Sequence, residues 1–154
     1  MTRESITHEI HVDASPEIVF DVITSPEHIL EWWNGAETGL SATPGQVTEI
    51  AWGRESPEPH VETLTVVDAD PHRLFSFRWV ADGGAPATAE NSLLATFELV
   101  PTGSGTTIRF SETGYQGKDW SVEELEATYA SHEEGWARFV PSVADYAGRL
   151  ATAS

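Results

Sequence analysis

The C-terminal segment from Trp120 to Leu150 constrains the fold most strongly, because it reads as one long amphipathic helix. Apolar or aromatic residues recur in alternating steps of three and four, which keeps one face of a helix against a partner. That face carries Tyr129, His132, Trp136 and Tyr146 among aliphatic side chains. Buried hydroxyl, imidazole and indole groups need hydrogen-bond partners, so the stripe predicts the wall of a pocket better than a plain core.

The start and the interior of this helix carry local signals. Ser121 with Glu124 three residues later forms a capping box at its start. Pro141 removes one backbone hydrogen bond and crowds the preceding turn. We therefore expect a kink at Pro141 or a break near Gly135.

Composition narrows the class of protein. A chain of 154 residues predicts a single domain over 1–154. It has 25 Asp plus Glu against 8 Lys plus Arg, a formal net charge of −17. Phosphate backbones and anionic membrane surfaces repel such a chain, so we expect neither nucleic acid nor membrane insertion. Without cysteine, a signal segment or an apolar run of about 18 residues, it reads as a cytoplasmic protein.

Upstream of the long helix, the sequence predicts an α+β fold. The segments near 16–23 and 26–33 each follow a serine and begin with proline, which indicates two short helices with serine caps. No helix separates the later strands, so the sheet should be mainly antiparallel. The third strand does not alternate cleanly, which indicates a bulge and leaves its facing open. Alternating apolar and polar residues predict six strands, at about 5–12, 46–53, 59–67, 73–80, 91–100 and 105–113.

The order of these elements coincides with a family pattern. The chain resembles the heat-shock-chaperone ATPase activator homologues of the START-like, or SRPBCC, superfamily. This resemblance implies a helix-grip fold, in which a curved six-stranded antiparallel sheet wraps around the long C-terminal helix and leaves a cavity between them. Members include lipid and hormone binders and polyketide cyclases, so the fold leaves the function open. The segments that carry the resemblance are Asp13 to Phe20 running to Glu31-Trp-Trp33, Val67 to Trp79, Gly105 to Tyr115, and His132-Glu-Glu-Gly-Trp136.

Glu112 is the sharpest candidate for chemistry. Strand alternation places its carboxyl on the same face as Ile108 and Phe110, pointing at the helix stripe. There it could pair with His132, exchange protons or anchor a ligand's polar group. The alternative interpretations are a strand-end residue that reaches water and a purely structural histidine.

Aromatic residues predict an apolar lining for the cavity. Trp32 and Trp33 are neighbours about 100° apart on a helix, so at most one should point inward, and the other would lie at the cavity mouth or in a dimer contact. With the polar candidates, the predicted ligand-binding residues are Trp33, Trp52, Phe77, Trp79, Phe97, Phe110, Glu112, Tyr129, His132 and Trp136.

Three functions remain open. The first is a binding protein for a small apolar or amphipathic molecule, fixed by Glu112, His132 and Tyr129. The second is a cyclase or dehydratase acting on polyketide-like compounds, with Glu112 and His132 as an acid/base pair. The third, a chaperone ATPase co-factor, follows from the resemblance. No metal site or cofactor is expected, because the histidines lack metal-ligand spacing, and a homodimer is possible.

Overall fold

A computed structural model describes residues 5–79, 88, 92–115 and 120–153. Two short helices follow the first strand, and one long helix ends the chain, as the sequence predicts. The predicted strand ends at Val80 and Asn91 lie outside the described residues. The elements are β1 (Ser5–Val12), α1 (Pro16–Thr24), α2 (Pro26–Trp32), β2 (Glu37–Thr38), β3 (Val47–Trp52), β4 (His60–Asp70), β5 (Leu74–Trp79), β6 (Leu93–Thr102), β7 (Gly105–Thr113) and α3 (Val122–Ala153).

The sheet is antiparallel throughout, with the strand order β1-β7-β6-β5-β4-β3-β2. It has seven strands rather than the predicted six. The additional strand, β2, is only two residues long, so it shows no alternation from which it could be predicted. The expected bulge is confirmed in β4, where the register with β5 shifts between Val66 and Asp68.

The core lies between one face of the sheet and the helices. Helix α3 packs on β1, α1 and α2. Strand alternation sorts the side chains, with Phe75, Phe97 and Phe110 aligned across three neighbouring strands and each almost completely buried. The architecture is therefore an α+β helix-grip fold. No helix in the described part of the chain is long and apolar enough to cross a membrane.

Helix α3 is continuous through Gly135 and Pro141, so the predicted break is wrong. Pro141 lies on the exposed side of the helix, where its ring does not disturb packing against the sheet. The capping box is confirmed: the Glu124 amide donates to Ser121 Oγ at 3.1 Å, and the Ser121 amide donates to Glu124 Oε1 at 3.4 Å.

The two serine caps behave differently. Ser15 Oγ accepts a hydrogen bond from the Ile18 amide at 3.3 Å, so the predicted serine N-cap of α1 is confirmed. The prediction for Ser25 is wrong, because its side chain makes no cap bond. Instead, Ser25 Oγ donates to Asp21 Oδ1 at 2.6 Å, one turn back on α1.

Trp32 and Trp33 also correct the sequence analysis, because both are buried, at 2% and 4% exposure. Helix α2 ends at Trp32, and Trp33 leaves helical geometry with φ −111° and ψ 51°. The helical angle between neighbours therefore does not apply, and the two indoles stack with centroids 5.1 Å apart and planes 6° apart. Trp32 is thus unavailable as an exposed contact.

Candidate functional site

A fully buried carboxylate, Glu112, lies at the centre of the candidate site. Trp79 Nε1 donates to its Oε2 at 2.7 Å, across the intervening strand β6, beside the small residue Ala95. The Tyr115 hydroxyl donates to Oε1, and His132 Nδ1 lies 2.9 Å from the same oxygen. Both oxygens of the Glu112 side chain therefore have hydrogen-bond partners, as a buried polar group requires.

Tyr115 reaches Glu112 because the chain turns sharply after β7. Gly114 has φ +105°, a conformation that favours glycine, and a Cβ there would lie 2.9 Å from the Ser92 carbonyl oxygen. Burial, and then the neighbouring Glu112 carboxylate, raise the pKa of the Tyr115 hydroxyl far above its ordinary value. Tyr115 therefore stays protonated and serves as a donor to Glu112.

His132 connects this buried group to the molecular surface. It projects from α3, its side chain is 16% exposed, and its ring lies 5.2 Å from that of Trp79. Because Nδ1 is held at Glu112 Oε1, the orientation of the imidazole ring is fixed, and Nε2 is the nitrogen left for an occupant of the adjoining space. This arrangement, a histidine oriented by a carboxylate, suits general acid or base chemistry.

A cleft of about 270 Å³ opens beside His132 between the sheet, the end of α2 and α3. Deeper in, the buried rings of Phe97, Phe110 and Trp136 pack against one another between the sheet and α3. Its lining residues are Trp33, Asn34, Trp52, His60, Glu62, Trp79, Ser131, His132, Gly135, Trp136 and Phe139.

Four indoles form the apolar wall of the cleft. Trp33 lies at their centre. Its ring centroid is 5.3 Å from those of Trp52, Trp79 and Trp136. Trp52 Nε1 donates to the Trp33 carbonyl oxygen at 2.9 Å, which ties β3 to the end of α2. The wall is thus held by mutual packing and by a hydrogen bond that does not depend on any ligand.

The ten predicted ligand-binding residues divide into two layers. Trp33, Trp52, Trp79, His132 and Trp136 line the cleft. The other five lie outside its lining: Phe77, Phe97 and Phe110 in the aromatic core, Glu112 behind His132, and Tyr129 with its hydroxyl donating to the Ser5 carbonyl oxygen at 2.8 Å.

Sequence analysis missed several lining residues and Tyr115. His60 and Glu62 lie on β4, whose facing the sequence left open. The strand register shows this facing. His60 pairs with Trp52, and Glu62 pairs with the buried Ile50, so His60 and Glu62 share the inward face of the sheet. The histidines and acids of the described residues form no group of three or more arranged to hold a metal ion.

Comparisons with known proteins agree with this architecture. The model of the family described as "Activator of Hsp90 ATPase homolog 1-like protein" matches residues 13–148. The chain belongs to this family. The resemblance seen in the sequence is therefore confirmed.

Solved structures share the fold of this chain. Protein MLL2253 from Mesorhizobium loti is 21% identical, with a TM-score of 0.75 over 94% of this chain and 97% of that one. The Aha1 dimer from Colwellia psychrerythraea is 20% identical, with a TM-score of 0.65 over 94% and 95%. DynU16, a putative protein of the dynemicin biosynthetic locus, is 19% identical, with a TM-score of 0.70 over 93% of this chain and 46% of DynU16. At these identities the likeness shows the fold alone, and no functionally curated protein matches the sequence significantly.

Proposed function

We propose that this chain binds a small, largely apolar organic molecule in the tryptophan-lined cleft. The observation that carries the proposal is the pairing of four indoles with one oriented imidazole in the same cleft. An apolar concave site with a few placed polar groups is the usual form of a small-molecule site. The volume of about 270 Å³ suits a molecule of one or two rings.

Gly135 offers a direct way to test the cleft. It lies on α3 in the lining, and a Cβ there would meet only the Phe139 ring, at an ordinary 3.9 Å. Gly135→Ala should therefore fold and keep the cleft open, whereas Gly135→Leu should fold and fill it. Both changes replace a helical glycine with a better helix former.

The binding experiment uses three probes: naphthalene, 2-tetralone and benzyltrimethylammonium. We expect at least one to change tryptophan fluorescence and to raise the Tm in the wild type and Gly135→Ala. A probe at 100 times its Kd adds about 2.7 kcal/mol of stability. Gly135→Leu should lose both effects. If no probe binds, or if binding persists in Gly135→Leu, the proposal is wrong.

An enzyme is the second candidate, and the geometry of His132 and Glu112 favours it. Glu112 is fully buried and does not line the cleft, so it would act as a positioning residue while His132 Nε2 exchanges protons with a substrate. In a model reaction, Nε2 removes a proton from the carbon beside the carbonyl of 2-tetralone and returns a deuteron taken from solvent. DynU16, of a biosynthetic locus, shares the fold and supports considering such a role.

Deuterium incorporation into 2-tetralone, followed by NMR, tests the enzyme candidate. The wild type should exceed the buffer rate, and Glu112→Gln should lower the rate more than it weakens binding, because an amide replaces the carboxyl group beside His132 Nδ1. Incorporation at the buffer rate, or an unchanged rate in Glu112→Gln, would remove the candidate.

A chaperone co-factor role rests on the family description alone. It would use the outer surface, to which the buried Trp32 side chain does not contribute. Adding the chain to an Hsp90-type ATPase should raise turnover if this role holds, and unchanged turnover would exclude it. A homodimer has the support of the Colwellia psychrerythraea Aha1 dimer, and light scattering should then give twice the 16.8 kDa chain mass.

A further inference from the structure

The charges around the cleft are one-sided. Among the described residues that line the cleft there is no lysine or arginine, whereas Glu62 is one of them, with a side chain that is 19% exposed. The second carboxylate, Glu112, lies directly behind His132. The two lining histidines add positive charge only when protonated.

The described arginines are engaged elsewhere or lie outside the lining. Arg138 lies over the Phe139 ring at 5.4 Å and does not line the cleft, and Arg78 alternates with the inward-facing residues of β5. The remaining four pair with acids: Arg54 with Glu49, Arg73 with Asp70, Arg109 with Glu9 and Glu98, and Arg149 with Asp145.

Glu62 holds its position through the sheet. It pairs with Ile50 across β3 and β4, and Ile50 is completely buried, so the Glu62 carboxylate lies on the inward face. His60 Nε2 lies 2.9 Å from Glu62 Oε2, and the His60 ring is 5.6 Å from that of Trp52. An acid is thereby placed at the edge of the indole wall.

Indole rings attract cations through their electron-rich faces, more strongly than the other aromatic side chains do. Four of them line a cleft that also presents a carboxylate. A ligand with a positive charge on an apolar body gains from both features, whereas an anion meets a carboxylate and, in the described part of the lining, no fixed cation.

We propose that the cleft selects an organic cation, an amine or quaternary ammonium carried on a small apolar or aromatic body, over neutral or anionic molecules of the same shape. This inference rests on the proposed function, namely that the cleft binds a small molecule. It adds the charge class of the ligand and assigns Glu62 as the residue that selects it.

Three probes of nearly the same shape test the selection: benzyltrimethylammonium, its neutral carbon analogue neopentylbenzene, and the anion phenylmethanesulfonate. Their Kd values are measured at pH 8 by tryptophan fluorescence. We expect the cation to bind about tenfold more tightly than the neutral probe, and the sulfonate to show no measurable binding.

Glu62→Gln separates charge from shape. This substitution should weaken binding of the cation severalfold and leave the Kd of the neutral probe unchanged. Glu98→Gln, an acid on the outward face of β6, is the matched control and should leave both Kd values unchanged within twofold. The comparison of cation and neutral probe in the wild type stands even if Glu62→Gln does not fold.

The possible failures are distinguishable. If neopentylbenzene or the sulfonate binds as tightly as the cation in the wild type, the charge selection is wrong and the proposed binding function survives. An equal loss for cation and neutral probe in Glu62→Gln overturns the assignment of Glu62. If no probe binds in a manner blocked by Gly135→Leu, the proposed function itself fails.

Discussion

At the scale of single residues, Glu112 decides how the site is held together. Its completely buried carboxylate accepts from Trp79 and Tyr115 and pairs with His132. Removing one member of such a buried set leaves the others without a partner, which costs more than the intact set contributes.

Glu112→Leu should therefore lower the free energy of unfolding by about 3–5 kcal/mol. Glu112→Gln keeps the shape and one acceptor oxygen, so its loss should be smaller, about 1–3 kcal/mol. Urea denaturation measures both. The exposed control Glu98→Gln should stay within about 0.5 kcal/mol of the wild type. Equal stabilities for the Leu variant and the wild type would show that Glu112 is not the buried centre described above.

His8 shows the opposite situation. Within the described residues, its Nε2 is buried and has no hydrogen-bond partner. An unpaired buried polar atom costs free energy, so His8→Leu should raise the stability by about 1 kcal/mol. His11→Leu, on the outward face of the same strand, is the control and should change little. A large loss of stability in His8→Leu would mean that Nε2 has a partner in solution.

The pairing of Glu112 with His132 could be predicted from the sequence, because strand and helix periodicity independently place both residues on inward faces. Tyr115 could not, since its position depends on the turn at Gly114 rather than on any period. The stacking of Trp32 on Trp33 could not be predicted from the sequence either, because it depends on the residue at which α2 ends.

At the scale of secondary-structure elements, Pro141 disfavours a helix locally, yet α3 remains helical around it. It sits inside α3, where proline removes a backbone donor and crowds the carbonyl of Ala137. Pro141 is exposed, while Val140 and Val143 beside it are buried. Tertiary packing therefore keeps the helix continuous where local propensity would break it.

Pro141→Ala should consequently raise the free energy of unfolding by about 1–3 kcal/mol, because a good helix former replaces a poor one without loss of buried contacts. Thermal and urea denaturation provide the measurement. Ala137→Gly, also at an exposed position of α3, calibrates helix propensity and should lower stability by about 1 kcal/mol. A Pro141→Ala variant that is less stable than the wild type would show that the proline stabilises α3.

Clean alternation predicted the inward facing of Glu112 on β7, whereas the facing of β4 and the existence of β2 were not predicted. Strand β4 carries a bulge, so no single period describes it, and the inward position of Glu62 became visible only through its pairing with β3. Strand β2 consists of Glu37 and Thr38 alone. These are the strands where register, rather than local pattern, determines the structure.

At the scale of the whole molecule, side-chain packing determines how much open space is left between the sheet and α3. Aromatic side chains from the sheet, α2 and α3 occupy the space beneath the helix, as in the 4.3 Å approach of the Phe110 and Trp136 rings. The cleft lies beside this packed region, and His132 is one of its lining residues. Volume of this kind depends on side-chain packing across distant elements, which sequence periodicity does not report.

The six tryptophans provide the most direct test of the cleft as a binding site. Each indole N–H gives a separate NMR signal, and four of the rings line the cleft. Trp120 lies outside the lining, and Trp32 Nε1 donates to the Val22 carbonyl oxygen at 2.8 Å, away from it.

Titration of the ¹⁵N-labelled protein with benzyltrimethylammonium, followed through the indole signals, is therefore the decisive measurement. The largest shifts should occur at Trp33, Trp52, Trp79 and Trp136, with a small shift at Trp32 through stacking and none at Trp120. The same titration of Gly135→Leu should leave all six signals in place. Shifts as large at Trp120 as at the cleft tryptophans, or shifts that persist in Gly135→Leu, would contradict the cleft as the binding site.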